Sequence, residues 1–159
     1  MYHSIVESPI GPVLLTGIEA GLTGVYTAEH VRLPAAPGVE NDAVFRSAIE
    51  QLGQYFAGER QEFSLELAPV GTGFQQRVWQ ALQRIPYGEH RSYGALAIEL
   101  GNPNASRAVG LANGRNPISI IVPCHRVVGS TGALTGYAGG LDAKRWLLEH
   151  EARVAARVA

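Results

Sequence analysis

The chain has a single cysteine among 159 residues, which excludes any internal disulfide and any zinc site built from several thiolates. That residue, Cys124, is therefore either a small buried filler or a reactive thiol. Nor is there a run of about 18 apolar residues, the length a membrane-spanning helix requires. The opening stretch "MYHSIVESPIGPVLL" carries no basic leader and no long apolar segment, so we expect a protein that stays in the cytosol. Glycine-rich phosphate-binding loops are missing as well: Gly129, Gly132 and Gly136 lack the dinucleotide spacing. We expect no cofactor and no bound metal. What the chain does have is a hydrophobic content of 46%, enough for a real core in one ordinary domain or in two smaller ones.

Net charge is −1 overall, yet the two halves differ. Residues 1–70 hold three arginines (Arg32, Arg46, Arg60) against nine acids, a balance of −6, whereas residues 71–159 hold ten basic side chains against five acids, a balance of +5. A basic half suits a polyanionic partner, although a basic surface is also the ordinary solvated face of many proteins.

Hydrophobic periodicity divides the chain at the same place. "SIVESPIGPVLLTGIEAGLTGVYTA" alternates short β-rich runs with turn signals at Ser8-Pro9, Gly11-Pro12 and Gly21, which predicts an antiparallel meander of about three strands. From Asn41 to Gly58, the positions Phe45, Ala48, Ile49, Leu52, Tyr55 and Phe56 recur at helical spacing, with Asn41 or Asp42 as cap. "FSLELAPVGTG" predicts one more strand and then a connection, so we place a domain boundary between residues 70 and 71. Beyond it the pattern turns helical. Thr72 caps a helix with Phe74, Val78, Leu82 and Ile85 on one face, ended by Pro86-Tyr87-Gly88. Ser92 caps "YGALAIEL", and "NPNASRAVGLANG" offers an asparagine cap with proline in the first turn. Two short helices joined by about three residues form a helix-turn-helix candidate. The second has small residues, Ala105, Ser106, Ala108, Gly110 and Ala112, that allow close approach to a groove, with Arg107 as its charged side chain.

"NPISIIVPCHRVVG" follows. Asn116-Pro117 signals a turn, Ile118 to Val122 a buried strand, and Pro123 the end of regular pairing just before Cys124. A thiol is only a few per cent ionised at neutral pH, so a nucleophilic role needs a proton acceptor nearby. His125 is adjacent. In an extended segment, however, neighbours point to opposite sides, so contact requires a bend or a bridging water. The imidazole needs an acceptor of its own to fix its tautomer, and Glu151, in the helical "DAKRWLLEHE", is our candidate.

The stretch "PCHRVVGSTGALTGYAGGLDAKRWLLEHE", Pro123 to Glu151, resembles the signature region of the O6-alkylguanine-DNA alkyltransferases, the methylated-DNA–protein-cysteine methyltransferase family. The likeness extends to "FQQRVWQALQRIPYGEHRSYGALA" and "NPNASRAVGLANGRNP", and so covers nearly all of residues 70–151. It implies an α/β (α+β) fold. A small N-terminal ribonuclease-H-like antiparallel sheet plus helix would occupy residues 1–70, and a mostly helical C-terminal domain with a winged-type helix-turn-helix residues 71–159.

The resemblance also implies the chemistry: stoichiometric, irreversible transfer of an alkyl group from O6-alkylguanine, and from O4-alkylthymine, in DNA to Cys124. His125 would act on the thiol through a water, Glu151 would orient His125, and Asn116 would brace the turn before the nucleophile. Tyr93 matches the tyrosine that helps rotate the nucleotide out, and Arg107 the arginine that fills its place in the stack. Ala105, Ser106 and Gly110 would face DNA in the minor groove. Tyr93, which would also donate to the base, matches the base pocket together with Ser119, Val127, Tyr137 and Ala138; many relatives have proline where Ser119 stands, which leaves open the size of alkyl group admitted. The implied partner is double-stranded DNA. The protein would be a monomer in solution, and cooperative assembly on DNA is a further expectation. Extrusion is physically required, because a thiolate cannot reach the alkyl carbon in line within a duplex. Two rivals stand beside this reading: a DNA-binding protein with an incidental thiol, and a Cys-His hydrolase that turns over repeatedly.

Overall fold

The computed structural model describes residues 1–158. The meander forms as its turn signals require: β1 (Tyr2–Val6), β2 (Val13–Ile18) and β3 (Gly21–Thr27) pair antiparallel in sequence. A fourth strand of two residues, β4 (Val39–Glu40), runs parallel to β1 and gives the order β3-β2-β1-β4. It leaves no periodic trace because it is too short to alternate. Asp42 to Phe45 form a 3-10 turn rather than the first turn of the helix, so α1 spans Arg46–Phe56. Its face of Ala48, Leu52 and Tyr55 joins Val13, Leu15 and Val25 of the sheet in one core.

The "FSLELAPV" segment is not a strand. Only Leu67 bridges to Leu22, through Leu22 N–H to Glu66 O at 2.9 Å and Ala68 N–H to Leu22 O at 2.7 Å. Gly21 permits this approach, since it has φ +150° and a Cβ there would lie 2.6 Å from the Glu66 carbonyl oxygen. The same edge of β3 also holds the segment before the cysteine. Val25 N–H donates to Pro117 O at 2.8 Å, and Ser119 N–H donates to Val25 O at 3.2 Å. An edge strand's unpaired groups are thus satisfied by the two connections that matter for the site.

The helical part opens with α2 (Gly73–Leu82). Thr72 and Gln75 form a reciprocal capping box, with bonds of 3.1 and 2.9 Å, a device that contributes about 1 kcal/mol. The helix ends at Leu82, so Ile85 packs from the following turn and not from the helix face. Trp79 Nε1 donates to Ala112 O at 2.9 Å and ties α2 to the second helix of the pair. The short strands β5 (Arg91–Ser92) and β6 (Val127–Val128) pair in parallel, and Ser92 caps α3 (Tyr93–Glu99) by accepting from Ala95 N–H at 3.0 Å. Helix α4 (Ser106–Gly114) begins later than its asparagine suggested, with Ala105 at the cap position and no side-chain cap bond. Asn102 lies in the turn before the helix, where its N–H bonds Ala97 O and its carbonyl receives Ala105 N–H. The connection from α3 therefore takes residues 100–105 and is longer than the three residues expected. Helix α5 (Leu141–Val158) closes the described chain. Among the described residues no helix is long and apolar enough to cross a membrane.

Candidate active site

Ile118 to Val122 are buried, but they do not form the expected strand. After the single pairing of Ile118 with Val25 the backbone curls, with Ile121 N–H bonding Ser119 O at 2.8 Å and Val122 N–H bonding Ile118 O at 3.1 Å. Ile120 adopts φ 73°, a left-handed conformation that costs an L residue about 1–2 kcal/mol. Asn116 holds the curl closed. Its Oδ1 accepts from Ile118 N–H at 3.0 Å, and its Nδ2 donates to Val122 O at 2.8 Å and to Ile118 O at 3.3 Å. The sequence cannot show this, because three buried hydrogen bonds override a strong β preference.

Cys124 then starts a second 3-10 turn, Cys124–Arg126. The chain bends there, but among the described residues no hydrogen bond joins His125 Nδ1 to the thiol. Glu151, from α5, lies beneath that turn as the acceptor of four hydrogen bonds. Its Oε2 accepts from His125 Nε2 at 2.7 Å, from Tyr55 Oη at 2.6 Å and from Arg126 Nη2 at 3.1 Å, and its Oε1 accepts from Arg126 Nε at 2.8 Å. Burial alone would raise the pKa of this carboxyl; His125 and Arg126 more than reverse that and hold it well below the usual carboxylate range. An ionised carboxylate only accepts, so the proton of the neutral imidazole sits on Nε2 and the lone pair on Nδ1. Nδ1 is buried and has no hydrogen-bond partner among the described residues. Burial pushes the imidazole pKa down despite the pull of Glu151, so at neutral pH His125 is an unprotonated base with one nitrogen unused.

Cys124 is 5% exposed, and polar groups act on its thiol. Burial raises its pKa, while Asn116, the Lys144 ammonium and the Tyr137 hydroxyl pull the other way. Lys144 is completely buried and donates to Val127 O at 2.6 Å and to Thr135 O at 2.9 Å, with its ammonium 6.0 Å from the Tyr137 ring centre. Tyr137 Oη is buried near Ser119 and Cys124 without a regular hydrogen bond. A protonated thiol at rest, with groups that favour its anion already in position, is suited to being ionised on demand.

Val127 is buried and Ala138 half-buried, with the Ala138 carbonyl accepting from Val31 N–H at 2.9 Å. Thr27 Oγ1 donates to Gly139 O at 2.7 Å, so both bonds tie the loop to the N-terminal part. A second group lies at the surface. Ser106 and Arg107 are exposed on the first turn of α4, Ala105 and Gly110 are half-buried, and Leu111 is 69% exposed. Tyr93 joins the two groups. A Cβ at Gly110 would lie 3.6 Å from its ring, and its hydroxyl donates to Thr135 O at 3.3 Å.

Arg126, Tyr55 and Lys144 belong to this cluster and were not anticipated. Two left a signal. Arg126 is a charge inside the apolar run from Ile118 to Val128, which demands a buried partner. Lys144, Leu147 and Glu151 follow i, i+3, i+7 and so share one face of α5. Tyr55 left none, because a tyrosine on an apolar helix face reads as core.

Two family models match, 6-O-methylguanine DNA methyltransferase, ribonuclease-like domain, over residues 1–69, and the DNA binding domain of the same family over residues 73–153. The chain is 58% identical over 153 residues to a methylated-DNA–protein-cysteine methyltransferase of Methanosarcina acetivorans, covering 95% of this chain and 98% of that one. It is 56% identical over 152 residues to one of Mycolicibacterium paratuberculosis, covering 95% and 92%. A crystal structure of Mycobacterium tuberculosis OGT in complex with DNA matches with TM-score 0.92 at 51% identity, over 97% of this chain and 94% of that one. With both family models and near-full-length relatives in agreement, and a lone thiol beside a carboxylate-held imidazole, the chain belongs to the methylated-DNA–protein-cysteine methyltransferase family.

Proposed function

We propose that this protein repairs DNA by taking the alkyl group of O6-alkylguanine, and of O4-alkylthymine, onto Cys124 once and irreversibly. The observation that carries the residue assignments is the unpartnered, buried Nδ1 of His125, whose tautomer Glu151 dictates. That nitrogen accepts the thiol proton, directly or through one water, as Cys124 ionises. Sulfur then attacks the alkyl carbon in line. The C–O6 bond breaks as the S–C bond forms, and the electron pair leaves with the guanine oxygen. The product is a thioether, which offers water no carbonyl to attack, so a second turnover does not follow.

A buried sulfur requires that the base come to it. Tyr137, buried beside Cys124, yields as the base enters; Tyr93, bonded to Thr135 of the same loop, helps rotate the nucleotide. The small-residue face of α4 approaches the minor groove through Ala105, Ser106 and Gly110, and Arg107 replaces the extruded base in the stack. Asn116 braces the turn, while Ser119, Val127, Tyr137 and Ala138 line the pocket. The DNA complex of the M. tuberculosis relative supports DNA as partner. We further propose a working division at residues 70 and 71, a cytosolic protein, and a monomer in solution that assembles cooperatively on DNA.

Titration with duplex DNA containing O6-methylguanine, followed by peptide mass analysis, tests this reading. One methyl per chain on the Cys124 peptide is expected, and none in Cys124→Ala. Repeated turnover, or a methyl group elsewhere, would contradict it.

A further inference from the structure

The Glu151 carboxylate is held from two parts of the chain. His125 and Arg126 come from the turn that bears the nucleophile, whereas Tyr55 comes from α1, 96 residues away in sequence. The Tyr55 side chain is completely buried. Phe56, Phe63, Tyr87 and His150 surround its ring, with centroids 5.4, 5.6, 6.2 and 5.4 Å away, and His150 Nε2 bonds the Tyr55 carbonyl at 2.8 Å. The phenol therefore cannot turn aside. Its hydroxyl meets Oε2, the same oxygen that receives His125 Nε2. Three donors, Tyr55 Oη, His125 Nε2 and Arg126 Nη2, share the lone pairs of that oxygen, so what Tyr55 contributes is withdrawn in part from the bond to His125. A phenylalanine would fill the same volume, and packing alone does not call for the hydroxyl.

We propose that Tyr55 is a positioning residue of alkyl transfer: through its hydroxyl the N-terminal part of the protein fixes the Glu151 carboxylate and moderates its pull on the His125 ring. The inference rests on the relay of Cys124, His125 and Glu151 proposed above. The groups facing that carboxylate are His125 and Arg126 from the nucleophile's turn, Tyr55 from α1, Tyr87 from the turn before β5, and Tyr137 from the loop before α5, while Lys144 of α5 acts on the His125 ring.

The test is the pH profile of single-turnover methyl transfer from O6-methylguanine duplex DNA in Tyr55→Phe. With one donor removed, Oε2 draws harder on His125 Nε2–H and the ring keeps a proton on Nδ1 to higher pH. The acid limb of the profile is expected to move up by about half a pH unit or more. A limb that superimposes on the parent's overturns the proposal, whatever happens to the melting temperature. Placing 3-fluorotyrosine at position 55 keeps the ring, strengthens the donor and should move the limb down, which preserves the test if the phenylalanine variant does not fold. Tyr87→Phe removes a neighbouring buried hydroxyl that makes no hydrogen bond among the described residues; an equal shift there would show that the Tyr55–Glu151 bond is not the cause and overturn the proposal. Glu151→Gln separates the two ideas. If it leaves the profile unchanged, the relay itself fails; if it alters the profile and Tyr55→Phe does not, Tyr55 alone is excluded.

Discussion

Replacing Glu151 by glutamine keeps the shape of the side chain and removes its charge. The amide oxygen takes the Oε2 position, where Tyr55, His125 and Arg126 all donate, so the His125 tautomer survives. The amide nitrogen then faces Arg126 Nε, a donor against a donor, and that bond is lost. A charge pair at the 2.7 Å separation of His125 and Glu151 is worth about 6 kcal/mol at an effective dielectric of about 20. A neutral acceptor retains about half of what a charged one supplies. The imidazolium that forms when Cys124 ionises thus loses about 3 kcal/mol, and methyl transfer slows about a hundredfold. Stability falls as well, because Arg126 is only 7% exposed and leaving a buried charge unpaired costs about 3–5 kcal/mol. For a chain of this size that is a fall of about 6–20 °C in melting temperature. Rapid-quench single-turnover assays with O6-methylguanine duplex at low temperature, alongside calorimetry, separate the two effects. A rate that stays within a factor of about three of the parent, in a variant shown to be folded, would refute the role given to the carboxylate.

Two further outcomes follow from the same geometry. Arg107→Ala should reduce repair of duplex DNA by about tenfold or more while leaving reaction with a free O6-alkylguanine base nearly unchanged, because only the duplex needs an extruded nucleotide replaced; equal losses in the two assays would remove Arg107 from that role. The folded protein keeps His125 neutral by burying it, and in the unfolded chain the ring takes a proton near pH 6.5. Stability from this group is therefore complete above that value and lost as pH falls below it; the ionised Glu151 adds a further loss through the ordinary carboxylate range near pH 4. Melting temperature should decline from about pH 7 to pH 5, and His125→Gln should flatten that decline; a parallel decline in the variant would contradict the assignment.

Elements whose cause lies within a few residues were legible in the sequence. The capping box of Thr72 and Gln75 and the Ser92 cap exchange bonds three residues apart, and the strands of the meander are joined by turns that glycine and proline announce. Elements decided at a distance were not. Ile118 to Val122 has the composition of a strand, yet Asn116 curls it. Val39–Glu40 pairs with β1 across the whole meander. The α4 cap was misplaced because residues 102–105 close a turn of their own before the helix starts at Ser106.

The sequence by itself determined that this chain carries one thiol, next to a histidine, within motifs that mark its family, since residue chemistry and order need no fold to be read. Only the tertiary structure decided which nitrogen of His125 bears the proton, which groups stand ready to favour the Cys124 anion, and that Tyr55 shares an oxygen with the imidazole. Ionisation and tautomer depend on burial and on partners that are far apart in the chain; they exist only once α1, the nucleophile's turn and α5 have met.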